Sequence, residues 1–266
     1  MIDAFGRAIT YLRISITDRC NLRCEYCMPP QGVPLVAHED ILSYEEIAEV
    51  ARVAVSMGIE KIRVTGGEPL ARRHIERLVA LLAAIPGVRD LAMTTNGILL
   101  AENAAALKKA GLMRVNVSLD TLNPRRFAQL TRGGELQRVL DGIAAAQAAG
   151  LSPIKLNCVM ASSREEPDAR SVADFGRKEG LEVRYIRRMN LREGRFSIVE
   201  GGSGGDCARC NRLRLSCTGV VRPCLFSELG FSVRELGARA ALEQALASKP
   251  RCGMSSDLST LKSIGG

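Results

Sequence analysis

The sequence predicts an α/β fold in which six βα units form a parallel sheet or barrel, followed by a C-terminal extension. A run of β-branched residues, a polar or Gly-rich break and an amphipathic helix recur through the first 190 residues, which is typical of parallel βα units. Polar motifs follow successive strands, and loops at the C-terminal ends of parallel strands meet at one place. After residue 189 the pattern stops, and a Gly/Ser-rich stretch precedes a second group of cysteines.

Strands and helices are expected to alternate along the barrel region. The predicted strands are 10–16, 60–65, 89–94, 113–118, 153–159 and 182–187, and the predicted helices are 44–57, 72–85, 102–110, 135–149 and 167–179. The helix at 44–57 is the clearest, because Ser43 and Glu46 form a capping box and Gly58 suits a left-handed C-terminal cap. In the fifth strand Lys155 and Asn157 alternate with Cys158, so Cys158 is expected to face the helices as a core thiol.

Three cysteines lie on the loop after the first strand, with the spacing Cys20-x3-Cys24-x2-Cys27. We call this segment the first cysteine loop. Three thiolates on one short loop can hold three corners of a cubic iron–sulfur cluster and leave the fourth iron open. An open iron that binds a small molecule and passes it an electron is a catalytic site. A zinc loop and three unrelated core thiols are the alternatives.

Composition excludes several other classes of protein. There is no run of eighteen apolar residues and no apolar signal core at the N-terminus, so a cytoplasmic, non-membrane protein is expected. Clustered cysteines in that compartment indicate metal rather than disulfides. The only histidines are His38 and His74, which argues against His-rich metal sites. The net charge is +8, but the basic residues are scattered and aromatics are only 4%, so a polyanionic small substrate is expected rather than nucleic acid.

Four further cysteines follow the Gly/Ser-rich stretch, at positions 207, 210, 217 and 224. They are open to two interpretations, a four-cysteine zinc knuckle or a fully ligated structural cluster. Arg212 and Arg214 come directly after the CxxC pair. At alternating positions of an extended segment they share one side, and guanidinium groups suit phosphate oxygens.

Three short motifs end predicted strands, and each is weak by itself. In Gly66-Gly67-Glu68-Pro69 the glycines would let a ligand lie against the chain, and Glu68 could accept from a cationic amine. A purely structural turn is the alternative. The motifs at 94–97 (TTNG) and 118–120 (SLD) often do no more than satisfy turns.

The first cysteine loop has the spacing of the radical S-adenosylmethionine (SAM) enzymes, and the order of the motifs resembles their partial (βα)6 TIM-like barrel. One family within them matches more closely. The chain resembles the GTP 3′,8-cyclases of molybdenum cofactor biosynthesis, through CNLRCEYCMP, KIRVTGGEPL, TTNG, RVNVSLDTL, IKLNCVM, CxxCNRLRL, RPCLF and a terminal IGG. The resemblance implies a radical SAM barrel at 1–189, a connector at 190–206, and a C-terminal second-cluster and substrate-binding region at 207–266.

The resemblance also implies roles for individual residues. It implies two [4Fe-4S] clusters, the first on Cys20, Cys24 and Cys27 and the second on Cys207, Cys210 and Cys224, with Cys217 and Cys252 unassigned. The SAM contacts it implies are Tyr26, Gly66, Gly67, Glu68, Ser118 and Met189. The GTP contacts are Arg13, Arg63, Thr94, Lys155, Arg184, Arg212 and Arg214. The tail residues Gly265 and Gly266 are expected to reach into the active site.

The reaction implied by the resemblance begins with reductive cleavage of SAM to methionine and a 5′-deoxyadenosyl radical. That radical removes hydrogen from C3′ of GTP. The carbon radical then attacks C8 of guanine, and reduction of the resulting radical gives 3′,8-cyclo-7,8-dihydro-GTP. The implied partners are an external electron donor and a downstream cyclic pyranopterin monophosphate synthase, and the resemblance also admits a homodimer. Two alternatives remain, a radical SAM enzyme for another substrate such as a peptide, and a non-catalytic binding module stabilised by zinc.

The chain departs from the family pattern near the sixth strand. Only the seventeen residues of 190–206 separate Met189 from Cys207, whereas the family has several dozen more. The surroundings of Met189 and the stretch 162–170 also differ. These departures remove elements that would cover the open side of the barrel, and they motivate the alternative of a different substrate.

Overall fold

Six parallel strands alternate with helices in the computed structural model, which describes residues 1–29, 31–32, 34–189 and 196–253. The strands are β1 Tyr11–Ser15, β2 Lys61–Thr65, β3 Asp90–Thr95, β4 Arg114–Ser118, β5 Lys155–Met160 and β6 Glu182–Arg187. The helices are α1 Tyr44–Ser56, α2 Ile75–Ala83, α3 Leu100–Lys109, α4 Pro124–Thr131, α5 Leu136–Ala148 and α6 Pro167–Glu179. The predicted tail contacts Gly265 and Gly266 lie outside the described residues, as do 190–195 of the predicted connector and 254–266 of the C-terminal region.

The C-terminal region adds three strands to the same sheet. They are β7 Arg212–Leu215, β8 Val220–Arg222 and β9 Phe231–Ser232, followed by helices α7 Val233–Leu236 and α8 Ala238–Ala247. The strand order is β6-β5-β4-β3-β2-β1-β7-β8-β9, and β7 runs parallel to β1. Arg212 pairs with Tyr11 and Arg214 with Arg13, so the two arginines join the inner face of the barrel.

The predicted elements and the structure agree at all six barrel strands. The capping box of α1 is confirmed, because Ser43 Oγ accepts from Glu46 N at 3.1 Å and Ser43 N donates to the Glu46 carboxylate at 2.7 Å. Gly58 has a φ of 106°, as its predicted cap requires. Helix α4 was missed. Its N-cap is Asn123, whose side chain accepts from Arg126 N at 3.1 Å, and Pro124 is its first residue.

The two faces of the barrel sheet have opposite character. The outer face packs apolar side chains against the helices, and Cys158 is fully buried there, which confirms its predicted orientation. The inner face carries the polar residues of every strand. No helix in the described part of the chain is both long and apolar enough to cross a bilayer.

Candidate active site

The inner face of the barrel encloses a cavity of about 970 Å³, at the upper end of the range for ligand pockets. Every described residue predicted to contact substrate or SAM lines this cavity. They are Arg13, Arg63, Thr94, Lys155, Arg184, Arg212, Arg214, Tyr26, Gly66, Gly67, Glu68, Ser118 and Met189. Cys20, Cys24 and Cys27 line it too. Cys207, Cys210 and Cys224 are outside the lining, although their neighbours Asn211 and Leu225 belong to it.

Four arginines of the cavity have buried nitrogens without a hydrogen-bond partner among the described residues. We call them the arginine set: Arg13, Arg63 and Arg184 through Nε, and Arg214 through Nη1. The hydroxyl of Thr94 is unpaired in the same way. Burying a charged group without a partner costs free energy, so this arrangement is unfavourable until an anion enters. The arginine set therefore forms a preorganised anion site.

The pKa values of Arg13 and Arg214 show the same cost of burying positive charge without an anionic partner. Burial, followed by the positive charge of nearby Arg214, lowers the pKa of Arg13 to about 9. Burial and the neighbouring Arg212 lower the pKa of Arg214 to about 10. Both shifts mean that the folded protein disfavours the charged guanidinium. A ligand with several negative charges would remove that penalty.

Tyr11 lies among these arginines. The Cζ atoms of Arg63 and Arg212 are each 5.4 Å from the centre of its ring. Burial alone would raise the pKa of Tyr11, but the positive charges of the four arginines around it together outweigh burial and lower it; they are Arg63, Arg13, Arg212 and Arg214. The ring separates two guanidinium groups that would otherwise repel each other, and cation–π attraction holds both.

Two other cations of the cavity already have carboxylate partners. Arg114 donates to Asp90 through Nε at 2.8 Å and Nη2 at 2.6 Å. Lys155, a predicted substrate contact, is paired with Glu182. An incoming anion would have to compete for Lys155 but not for the arginine set.

Asn116 is a site residue that the sequence prediction missed. It is fully buried on β4, and with its amide turned so that the oxygen faces Arg63, it accepts from Nη1 at 3.0 Å and Nη2 at 3.3 Å. The alternation of side chains along β4 could have identified it, since Asn116 lies on the inner face with Arg114 and Ser118. Its role is to orient the guanidinium of Arg63.

The two glycines of the GGEP motif lie against the chain just before the first cysteine loop. Gly67 N donates to Thr17 O and Glu68 N donates to Arg19 O, both at 2.7 Å. A Cβ on Gly67 would lie 2.2 Å from Arg19 O. Only glycine permits this approach, so the motif positions the cysteine loop as well as lining the cavity.

Glu68 is held by the chain itself. It is 1% exposed, and Oε1 accepts from Leu70 N at 3.0 Å and Thr95 Oγ1 at 2.7 Å, while Oε2 accepts from Asn96 N at 2.7 Å. Burial raises the pKa of Glu68 to about 7, although each of these donors lowers it. The structural turn considered from the sequence is therefore real. Oε2 keeps one lone pair, so the predicted contact with the SAM amine remains a prediction.

The first cysteine loop folds as a tight turn. Cys27 N and Met28 N both donate to Cys24 O at 3.0 Å. Tyr26 OH donates to Asp120 at 2.6 Å, and the other oxygen of Asp120 accepts from Val159 N at 2.7 Å. This chain of bonds ties the loop to the end of β5.

The three thiols of this loop fit an iron–sulfur cluster. Burial raises the pKa of Cys24 well above its usual range, and the neighbouring Cys27 and Cys20 raise it further. Thiols that oppose one another's ionisation lie close together and need a cationic partner as thiolates. Thiolates are also the usual ligands of such clusters.

The second cysteine set, Cys207, Cys210 and Cys224, lies beside the same cavity. Cys224 packs with Met189 and Phe196 against Leu225 and Phe226, so it lies close to the end of β6. Lys249 and Arg212 lower the pKa of Cys210 against the effect of its burial.

Cys217 is separate from the second cysteine set. It is fully buried, and burial, followed by nearby Asp18, raises its pKa to about 11, with Arg72 also among its neighbours. The charged groups that shift the pKa of Cys217 are Asp18, Arg72 and Arg19, none of them a cysteine. Cys217 therefore lies in surroundings different from those of the second cysteine set.

Replacing Gly67 by alanine is expected to disrupt the first cysteine loop. The new methyl group collides with the backbone of Arg19, and overpacking of this kind costs roughly 1–3 kcal/mol of unfolding free energy. Urea unfolding measures the loss, and iron analysis should show less iron bound. As a control, Gly180→Ala meets no neighbouring atom at a φ of 67° and should keep its iron. Equal iron in the two variants would contradict the role of Gly67.

Known proteins are similar to this chain over most of its length. A family model described as the radical SAM superfamily matches residues 14–175. The GTP 3′,8-cyclase of Geobacter sulfurreducens is 44% identical over 282 residues, which cover 88% of this chain and 86% of that protein. The GTP 3′,8-cyclase of Moorella thermoacetica is 45% identical over 271 residues, which cover 85% of this chain and 84% of that protein.

Solved structures share the fold at low identity. Native anSMEcpe with bound AdoMet and a peptide superposes with a TM-score of 0.61 at 15% identity, over 91% of this chain and 81% of that one. Streptococcus suis SuiB bound to precursor peptide SuiA gives a TM-score of 0.55 at 18% identity, over 70% of this chain. The match covers only 41% of SuiB. Both likenesses support the partial barrel and nothing finer.

Proposed function

The chain belongs to the GTP 3′,8-cyclase family of the radical SAM superfamily, and we propose that it converts GTP to (8S)-3′,8-cyclo-7,8-dihydroguanosine 5′-triphosphate. This reaction is the first step of molybdenum cofactor biosynthesis. The arginine set is the observation that carries the proposal. A triphosphate brings about four negative charges, and guanidinium groups that each have a buried nitrogen without a partner are suited to receive them.

The inner face would hold GTP from several strands at once. Arg13 on β1, Arg63 on β2 and Arg214 on β7 are neighbours across the sheet, and Arg184 on β6 approaches from the far side. Arg212, Thr94 and Lys155 complete the predicted set. Fixing the triphosphate in this way orients the ribose and base, and orientation contributes much of the rate in such reactions.

Radical SAM membership implies a [4Fe-4S] cluster and SAM, which together supply an organic radical strong enough to remove hydrogen from carbon. Cys20, Cys24 and Cys27 would hold the cluster, and the bond from Tyr26 to Asp120 fixes their loop. Tyr26, Gly66, Gly67, Glu68, Ser118 and Met189 would receive SAM. Cys207, Cys210 and Cys224 would hold a second [4Fe-4S] cluster.

Several partners belong to the same proposal. The enzyme would take electrons from an external donor and pass its product to a cyclic pyranopterin monophosphate synthase. A cytoplasmic location and a homodimer remain predictions. The nucleotide-sized cavity and its buried cations favour GTP over a peptide as substrate.

SAM binding is expected to release a proton near neutral pH. At pH 6.5 Glu68 is mostly protonated, since burial raises its pKa to about 7. A cationic amine beside it would lower that pKa, so up to about three-quarters of a proton per chain should leave at pH 6.5. Calorimetric titration with SAM, in buffers of different ionisation enthalpy, measures the release. Glu68→Gln should abolish the release, and an unchanged release in that variant would contradict the contact.

The proposed function is tested by anaerobic incubation of the iron-loaded protein with GTP, SAM and a reductant. Both 5′-deoxyadenosine and a cyclised nucleotide should form. If 5′-deoxyadenosine forms while GTP fails to bind, the enzyme acts on another substrate.

A further inference from the structure

Lys249 is a buried lysine to which the proposed reaction assigns no role. It is 4% exposed. Its Nζ donates to Arg212 O at 2.7 Å and to Pro223 O at 2.8 Å. Arg212 follows Cys210 by two residues, and Pro223 directly precedes Cys224. One ammonium group therefore joins the two stretches of chain that carry these cysteines.

The ammonium of Lys249 is buried between the two stretches of chain that carry Cys210 and Cys224. A buried ammonium is costly unless it has hydrogen-bond acceptors and anionic partners. Two backbone carbonyls supply the acceptors, and thiolates at Cys210 and Cys224 would supply the negative charge.

The rest of the second cysteine set is fixed to the same place by Arg7. Its Nη1 donates to Cys207 O at 2.7 Å and to Arg251 O at 3.1 Å, and Nη2 donates to Pro250 O at 2.7 Å. Asp3 holds Arg7 in turn, at 2.6 Å from Nε. The segment that carries Lys249 is thus anchored next to Cys207, so Lys249 has a defined position relative to all three cysteines.

We propose that Lys249 is a positioning residue of the second cysteine set, which holds Cys210 and Cys224 at a fixed spacing and supplies a positive charge to the cluster bound there. The proposal rests on the second cluster of the proposed function. Groups that support metal ligands from behind typically change metal affinity by roughly 10- to 100-fold when they are removed. A nearby positive charge also favours the reduced, more negative cluster and so raises its reduction potential.

The test uses the full chain with the first cysteine loop disabled by Cys20→Ser, Cys24→Ser and Cys27→Ser. This background isolates the second cysteine set, which should hold about four irons. Adding Lys249→Met should speed anaerobic iron release to a chelator by roughly 10- to 100-fold. It should also move the midpoint of a redox titration, followed by electron paramagnetic resonance, to lower potential. Lys249→Arg keeps a charge and donors, and should restore most of both properties.

Lys108→Met provides a matched control. Lys108 is exposed and donates to Gly150 O at 2.7 Å, so its loss should leave iron release and potential unchanged. Circular dichroism confirms that each variant is folded. The proposal would be overturned if Lys249→Met released iron at the same rate as the background and had the same reduction potential. A background that binds no iron at all would instead refute the second cluster, and with it any role of Lys249 there.

Discussion

Replacing Cys24 by alanine is expected to abolish 5′-deoxyadenosine formation and to remove about four of about eight irons per chain. Cys24 is the centre of the first cysteine loop, because its carbonyl accepts from Cys27 N and Met28 N and its thiol lies beside the other two. Two remaining thiolates are too few to hold a cluster with one open iron. Iron and sulfide analysis of the reconstituted protein, with a product assay, measures both losses.

Cys158→Ala is the matched control for that change. Cys158 is equally a cysteine of the barrel, but it is fully buried on the outer face of β5, away from the cavity. Its loss should leave iron content and 5′-deoxyadenosine formation intact, with only a small loss of stability. If Cys24→Ala kept all its iron, the first cysteine loop would not be the site of the cluster.

Replacing Arg13 by methionine is expected to change stability and binding in opposite directions. Loss of one charge-assisted contact should weaken GTP binding by about 1.5–3 kcal/mol, or roughly 10- to 150-fold in Kd. The ligand-free protein should become more stable, by on the order of 1–3 kcal/mol, because a half-buried guanidinium whose Nε is buried without a partner is replaced by an apolar side chain of similar size. Calorimetry of GTP binding and thermal unfolding measure the two effects.

The stability of the folded protein should also depend on pH through Arg13, because folding disfavours its charged form. Its pKa is lowered to about 9 in the folded protein, so between about pH 9 and its usual pKa the unfolded chain binds more protons. The stability of the folded state should therefore rise with pH in that window, and Arg13→Met should remove this rise.

Arg114→Met is the control for Arg13→Met, because Arg114 also lines the cavity but has a carboxylate partner, Asp90. Its removal leaves Asp90 half-buried without its partner, so this variant should lose stability. If Arg13→Met were also destabilised and bound GTP normally, the arginine set would be structural rather than an anion site.

The local patterns of the sequence were enough to predict the six βα units, and the resemblance to radical SAM enzymes predicted that they form a partial barrel. Alternation in β5 placed Lys155 inside and Cys158 outside, and the alternating Arg212 and Arg214 share one side of β7. Helix α4 was missed because its apolar stripe is short, although Asn123 and Pro124 are a good helix start.

Long-range contacts could not be predicted in the same way. The pairing of β7 with β1 joins Arg214 to Arg13 across two hundred residues, and no local pattern specifies such a register. The bonds of Glu68 to the end of β3 and of Lys249 to Pro223 likewise depend on the assembled fold. For this reason single motifs predict the ligand contacts but not the residues that position them.

Hydrogen transfer from the ribose of GTP tests the central claim most directly. The iron-loaded protein is incubated anaerobically with SAM, a reductant and GTP carrying deuterium at C3′, and the 5′-deoxyadenosine is analysed by mass spectrometry. A GTP bound by the arginine set beside the first cysteine loop predicts one deuterium in 5′-deoxyadenosine and a cyclised triphosphate. Unlabelled 5′-deoxyadenosine together with unchanged GTP would contradict the account.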